Sequence, residues 1–113
     1  MDILISDKRL KKAAEDPAVC RRQYGLDMAK KIALRLASLR AAESLADFWP
    51  PKSGPERCHE FKGELEGTFS VDLKQPYRLL FRPSEPAGHV ADERERWKSI
   101  TSIDIVAIED THG

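Results

Sequence analysis

The chain has 113 residues, of which 41% are hydrophobic and 34% charged, a balance that suits one folded domain over 1–113 better than a disordered tail. Nineteen Lys/Arg offset nineteen Asp/Glu, so no global positive charge advertises nucleic acid. The apolar stretch Ile3–Leu4–Ile5 is far too short for a signal peptide or membrane span, no other segment is long enough, and the expectation is a cytoplasmic protein with no membrane partner.

The charge is unevenly spread. Residues 1–40 carry ten Lys/Arg against five Asp/Glu, whereas residues 41–113 carry nine against fourteen. Such a split is compatible with one face meeting a polyanion, and equally with a solvated basic helix face. Cys20 and Cys58 are far apart and in no metal-ligand spacing, which predicts two free, partly buried thiols.

In chain order, residues 2–6 read as a first strand, with β-branched Ile3 and Ile5 flanking Leu4. Ser6 and Asp7 can cap a helix starting near Lys8, whose apolar stripe is Leu10, Ala13 and Ala14. Asp16–Pro17 restarts the helix with a capping carboxylate and a first-turn proline, and Gly25 stops it. A longer helix is predicted over 27–42. Its apolar face is Ala29, Ile32, Ala33, Leu36 and Leu39, with Lys30, Lys31, Arg35 and Arg40 on the flanks and opposite side.

Past Phe48–Trp49–Pro50–Pro51 the pattern changes to strands. Residues 57–62 form a short one, 63–67 a polar turn, and 68–73 alternate Phe69, Val71 and Leu73 against Ser70 and Asp72. In residues 77–82 Leu80 faces away from Tyr77, Leu79 and Phe81, so the strand reads as covered on both sides and central. Residues 83–98 read as a long exposed loop, and 102–109 as a last, isoleucine-rich strand. The expected class is α+β: two N-terminal helical segments packed on a mostly antiparallel sheet, in the order β-α-α-β-β-β-β.

Arg78 is the most informative single residue. A guanidinium in an apolar central strand needs either a carboxylate partner, such as Asp72, or a cleft in which a phosphate pairs with it. His59, Glu60 and Lys62 cluster on the short strand, and Asp110 and His112 follow directly from the last one. No phosphate loop, dinucleotide-binding glycine pattern or serine elbow is present. Chemistry built from His, Arg, Lys and carboxylates, with neither metal nor cofactor, suits RNA cleavage, because the substrate brings its own 2′-hydroxyl nucleophile.

Four segments in succession, Cys58-His59-Glu60-Phe61-Lys62-Gly63, Phe69-Ser70-Val71-Asp72-Leu73, Pro76-Tyr77-Arg78-Leu79-Leu80-Phe81 and Ile108-Glu109-Asp110-Thr111-His112-Gly113, resemble the HigB-type plasmid-maintenance killer proteins of the RelE/ParE superfamily. The resemblance covers nearly the whole chain apart from residues 83–98. It implies a RelE-like fold and a toxin that cleaves translated mRNA on the ribosome, held in check by a helix-turn-helix, HigA-type antitoxin. It also implies that Arg78 stabilises the phosphorane and that Lys62 holds the phosphate or assists proton transfer. His112 becomes the general acid or base, oriented by Asp110. His59 falls to substrate binding, and Lys30, Lys31 and Arg35 to phosphate contacts with ribosomal RNA. Thr111 departs from the Asp-Tyr-His ending common among such proteins, which removes a ring able to stack on a base. ParE-like members of the superfamily share the fold but inhibit DNA gyrase, and a degenerate toxin would keep only antitoxin binding, so the fold alone does not choose among these activities.

Overall fold

The computed structural model describes residues 1–86 and 91–110. Strand β1 (Asp2–Ile5) leads into three helices, α1 (Lys8–Glu15), α2 (Pro17–Tyr24) and α3 (Leu26–Ala41). A 3-10 turn (Leu45–Phe48) and a short strand β2 (His59–Glu60) follow. Strands β3 (Phe69–Asp72) and β4 (Tyr77–Pro83), helix α4 (Glu93–Lys98) and strand β5 (Ser102–Asp110) complete the fold.

The helical half is punctuated by local chemistry. The Asp7 carboxylate accepts from the Leu10 amide at 2.8 Å to start α1, and that of Asp16 accepts from the Ala18 amide at 2.9 Å to start α2. Pro17 supplies a fixed φ at the first helical position, where a missing N–H costs nothing. Gly25, at φ +83°, turns the chain between α2 and α3 through a conformation that other residues rarely adopt.

The five strands form one sheet in the order β1-β5-β4-β3-β2. All pairings are antiparallel except β1 with β5, where Ile3 lies beside Ile103 and Ile5 beside Ile105. β4 is the middle strand, as its two-sided apolar pattern predicts. One face of the sheet meets the helices. Phe69, Val71, Leu79, Phe81, Ile103 and Ile105 are fully buried there in one cluster with Ile32, Leu36 and Leu39 of α3. The result is an α+β sandwich of two layers.

Two expectations change. The stretch 83–98, read as an exposed loop, contains α4, and its one aromatic, Trp97, is wholly buried. Trp97 packs edge-on against Trp49 at 5.1 Å and Phe69 at 5.6 Å between ring centroids. Asp92 caps this helix, with Glu93 and Glu95 in its first turn and Arg96 and Lys98 in its last, the order that the helix dipole favours. Arg96 then pairs with Glu60, fastening α4 to the sheet's β2 edge. The strand expected over 57–62 is also trimmed to His59–Glu60, because Arg57 takes a positive φ of 47° and Gly63 turns the chain away at φ +77°.

Candidate active site

Residues opposed across an antiparallel ladder share a face of the sheet. On the face turned away from the helices, two rows follow from the register. His59, Ser70, Leu80 and Ala107 form one; Asp72, Arg78 and Glu109 form the other. Three strands thereby bring together a histidine, an arginine and a carboxylate that are well separated in sequence.

Asp72 is the hub. Its side chain is only 7% exposed, with one oxygen 3.5 Å from Nε of Arg78 and the other 3.4 Å from Nε of Arg57. The Gln75 side-chain amide donates to that second oxygen at 3.2 Å. Of the two ways to accommodate Arg78 in a central strand, the structure therefore shows the carboxylate partner. The pair stays near the surface, since the Arg78 side chain keeps 16% of its area exposed.

His59 is half-buried, and its ring stands edge-on to Phe61 at 5.3 Å. Its Nδ1 lies 3.1 Å from the Arg57 carbonyl oxygen. A carbonyl only accepts, so Nδ1 carries the proton and Nε2 of the neutral ring is left as an acceptor. Burial pushes the imidazole below its ordinary value of 6.5, and the bond to the Arg57 carbonyl opposes that shift. The charges of Arg78 and Lys52 lower it further, while Asp72 raises it. A neutral imidazole within the field of two cations is equipped to take a proton from a nucleophile and, once an anion arrives, to hold that proton.

The other expected site residues are distributed as follows. Asp110 ends β5 opposite Tyr77, one position beyond the Arg78–Glu109 pair, and is exposed. His112 and Thr111 lie outside the described residues. Lys62 is exposed where the chain leaves β2 and enters the 3-10 turn Gly63–Leu65. Lys30 and Lys31 are exposed on α3, in the helical layer on the far side of the sheet from His59. Lys30 borders an apolar cavity of about 270 Å³ between α1, α2 and α3, walled by Ala13, Cys20, Ala29 and Leu36.

Arg35 is not on the solvent side of α3. It is 4% exposed, and its guanidinium donates to the backbone carbonyls of Asp72 at 2.6 Å and Pro55 at 3.1 Å. It stands one turn from Ile32 and from Leu39, on the core-facing stripe, and ties α3 to β3 rather than facing a ligand. Cys20 and Cys58 are free and buried, and burial next to Glu56 pushes the Cys58 thiol up to about 12, which leaves it inert. Among the described residues no cluster of three His, Cys, Asp or Glu side chains is placed to hold a metal ion.

Arg57 and Lys52 are the site residues that sequence reasoning passes over. Both are non-glycine residues with positive φ, 47° and 63°, a backbone state that costs on the order of 1–2 kcal/mol each. The hint in the sequence is the Pro50-Pro51-Lys52-Ser53-Gly54-Pro55 turn, which brackets Lys52 and leads into Arg57, whose carbonyl oxygen meets the His59 ring.

No family model matches the sequence, and no curated protein matches it. Solved structures do. A YoeB/ParE toxin from Agrobacterium tumefaciens superimposes with a TM-score of 0.59 at 12% identity, over 99% of this chain and all of that one. The YoeB–YefM complex and the YoeB dimer from Staphylococcus aureus each align with a TM-score of 0.53 at 18% identity, over 96% of this chain and 94% of the other. End to end, the chain has the fold of the YoeB/ParE toxins.

Proposed function

We propose that this protein is the toxin of a toxin–antitoxin pair, a HigB-like member of the RelE/ParE superfamily, and that it cleaves translated mRNA on the ribosome without a metal ion. The observation that carries the reading is the meeting of His59 and Arg78 on one sheet face, with Nε2 of His59 left as an acceptor. An inhibitor that only binds a partner has no need of a neutral imidazole on the same sheet face as a guanidinium.

In the reaction, the RNA 2′-hydroxyl attacks the adjacent phosphorus as Nε2 of His59 takes its proton. The 5′-oxygen of the next nucleotide leaves with a proton from a general acid, giving a 2′,3′-cyclic phosphate and a 5′-hydroxyl end. His112, oriented by Asp110, is that acid. Arg78 stabilises the charge that accumulates on the non-bridging oxygens of the phosphorane, and Asp72 holds its guanidinium in place. Lys62 contributes a phosphate contact from the turn after β2. His59, expected in substrate binding, is here proposed for proton transfer; its place on the sheet face of Arg78 supports that role. Lys30 and Lys31 are left for contacts with ribosomal RNA through the helical layer.

One structural neighbour is a toxin solved in complex with YefM. A neighbouring antitoxin, here of the helix-turn-helix HigA type, is accordingly part of the proposal. It is tested by co-purification with the product of the adjacent gene.

The decisive experiment induces the protein briefly in a bacterial host and maps new mRNA 5′ ends. Cuts within translated codons that disappear in Arg78→Ala, His59→Gln and His112→Ala are expected. Growth arrest with intact mRNA and gyrase-dependent DNA breaks would replace the nuclease by a ParE-like inhibitor. Harmless expression of folded protein would leave a degenerate, antitoxin-binding domain.

A further inference from the structure

The segment joining the helical half to β2 is held rigidly for a stretch with no regular structure. The Lys52 amide donates to the Cys58 carbonyl at 2.9 Å, and the Arg57 amide to that of Ser53 at 3.2 Å. The Ser53 hydroxyl donates to the Phe48 carbonyl at 3.2 Å, and the Asp72 amide to the Glu56 carbonyl at 2.8 Å. The turn is thus pinned to the core on one side and to β3 on the other. Its two left-handed residues are both long cations, at positions where glycine or asparagine would sit with less strain.

Both cations reach solvent. The Arg57 side chain keeps 53% of its area exposed while its Nε faces Asp72, which also pairs with Arg78 and accepts from Gln75. Lys52 is exposed as well, and its charge acts on His59. Strain retained at two exposed residues beside a candidate active site is better explained by what their side chains reach than by what their backbones stabilise.

We propose that Lys52 and Arg57 form a phosphate-binding clamp for single-stranded RNA, gripping backbone phosphates that flank the one opposite His59 and Arg78. The proposal rests on the nuclease reading for the identity of the polyanion. The rigid turn delivers both cations already oriented, so binding a phosphate orders little that is not ordered before. Arg57 offers a planar fork of donors, one edge of which faces Asp72, and Lys52 offers a point charge. Neither reads a base, so the clamp contributes affinity and salt dependence without sequence preference.

The test uses a fully 2′-O-methylated single-stranded RNA, which binds but cannot be cut, and follows its affinity by fluorescence anisotropy across a range of salt concentrations. Lys52→Asn and Arg57→Asn remove the charge while tolerating the left-handed backbone. Each is expected to reduce the magnitude of the slope of log K against log salt by about 0.7. The double variant should lose about twice that and bind at least tenfold more weakly at low salt, while remaining folded by circular dichroism. An unchanged slope in the double variant overturns the clamp, as does unchanged binding at low salt, or a parent that does not bind the strand at all. Because the strand is uncleavable, the clamp and the nuclease fail separately. Salt-dependent binding lost in these variants without any mRNA cutting keeps the clamp and drops the enzyme, whereas cutting with an unaltered slope does the reverse.

Discussion

Arg78 on β4 and Asp72 on β3 stand directly opposite one another, with Nε and Oδ1 3.5 Å apart on the face of the sheet that the helices leave uncovered. Asp72 thereby balances the charge of an arginine in the middle strand. It also fixes the guanidinium, through a carboxylate that is itself held by Gln75 and Arg57. Asp72→Asn keeps the shape and removes the charge. Because Arg78 retains some contact with solvent, the expected loss is about 2 kcal/mol rather than the larger cost of a fully buried pair. Urea unfolding measures it, and a variant as stable as the parent would show that the pair does no structural work.

Arg35 and the two lysines on its helix should behave in opposite ways. Arg35→Met leaves the carbonyls of Asp72 and Pro55 without their donor, and is expected to cost about 2–3 kcal/mol. Lys30→Ala and Lys31→Ala, on the exposed side of α3, should stay within about 0.5 kcal/mol of the parent. Thermal unfolding of the three variants side by side gives the ordering. Equal effects would contradict the assignment of Arg35 to the core.

Trp97 anchors α4 by filling the space between Trp49 and Phe69. Trp97→Ala opens a cavity in a fully buried position, for which about 3–5 kcal/mol is the ordinary cost. Since Arg96 holds Glu60 from the same helix, hydrogen exchange at the β2 edge should accelerate along with that of α4. Protection that persists at β2 while α4 exchanges freely would show that the helix is not what fastens this edge.

The pH dependence of stability should carry the signature of His59. Its folded pKa lies below the 6.5 of a free imidazole, so between those two values the unfolded chain binds the proton and the folded one does not. His59 therefore favours unfolding as the pH falls below about 6.5, with the loss complete once the pH passes the folded value. His59→Gln should flatten that part of the curve in a series of urea unfolding midpoints. Parallel curves for parent and variant would mean that the ring is not perturbed. Inorganic phosphate, by partly neutralising Arg78 and Lys52, should move the imidazole resonance of His59 toward a higher pKa.

Most of the architecture was written locally. Asp7, the Asp16–Pro17 pair and Gly25 mark helix ends through contacts within a few residues, and each does what its type predicts. The middle position of β4 was equally legible, because Leu80 points away from Leu79 and Phe81 and so calls for cover on both faces. Arg35 was misread because chemical type outweighed position. It lies three residues after Ile32 and four before Leu39, squarely on the buried stripe, and only distant carbonyls reveal why an arginine is tolerated there. Helix α4 left almost no periodic trace, since six residues with one apolar side chain cannot show a stripe. The conjunction of His59, Arg57 and Lys52 was invisible for a different reason. It depends on a left-handed turn in the backbone and on a register set by residues that follow it.

The place of β5 between β1 and β4 bears on when this fold can first exist. Among the described residues the first strand pairs only with the last, and β4 lacks one of its two neighbours until that same strand arrives. A nascent chain still short of residue 102 therefore carries two open strand edges and no way to close them. The polypeptide must be made through Asp110 before its sheet, and the row joining Asp72, Arg78 and Glu109, can assemble. Whatever this surface does to its target waits on the last strand.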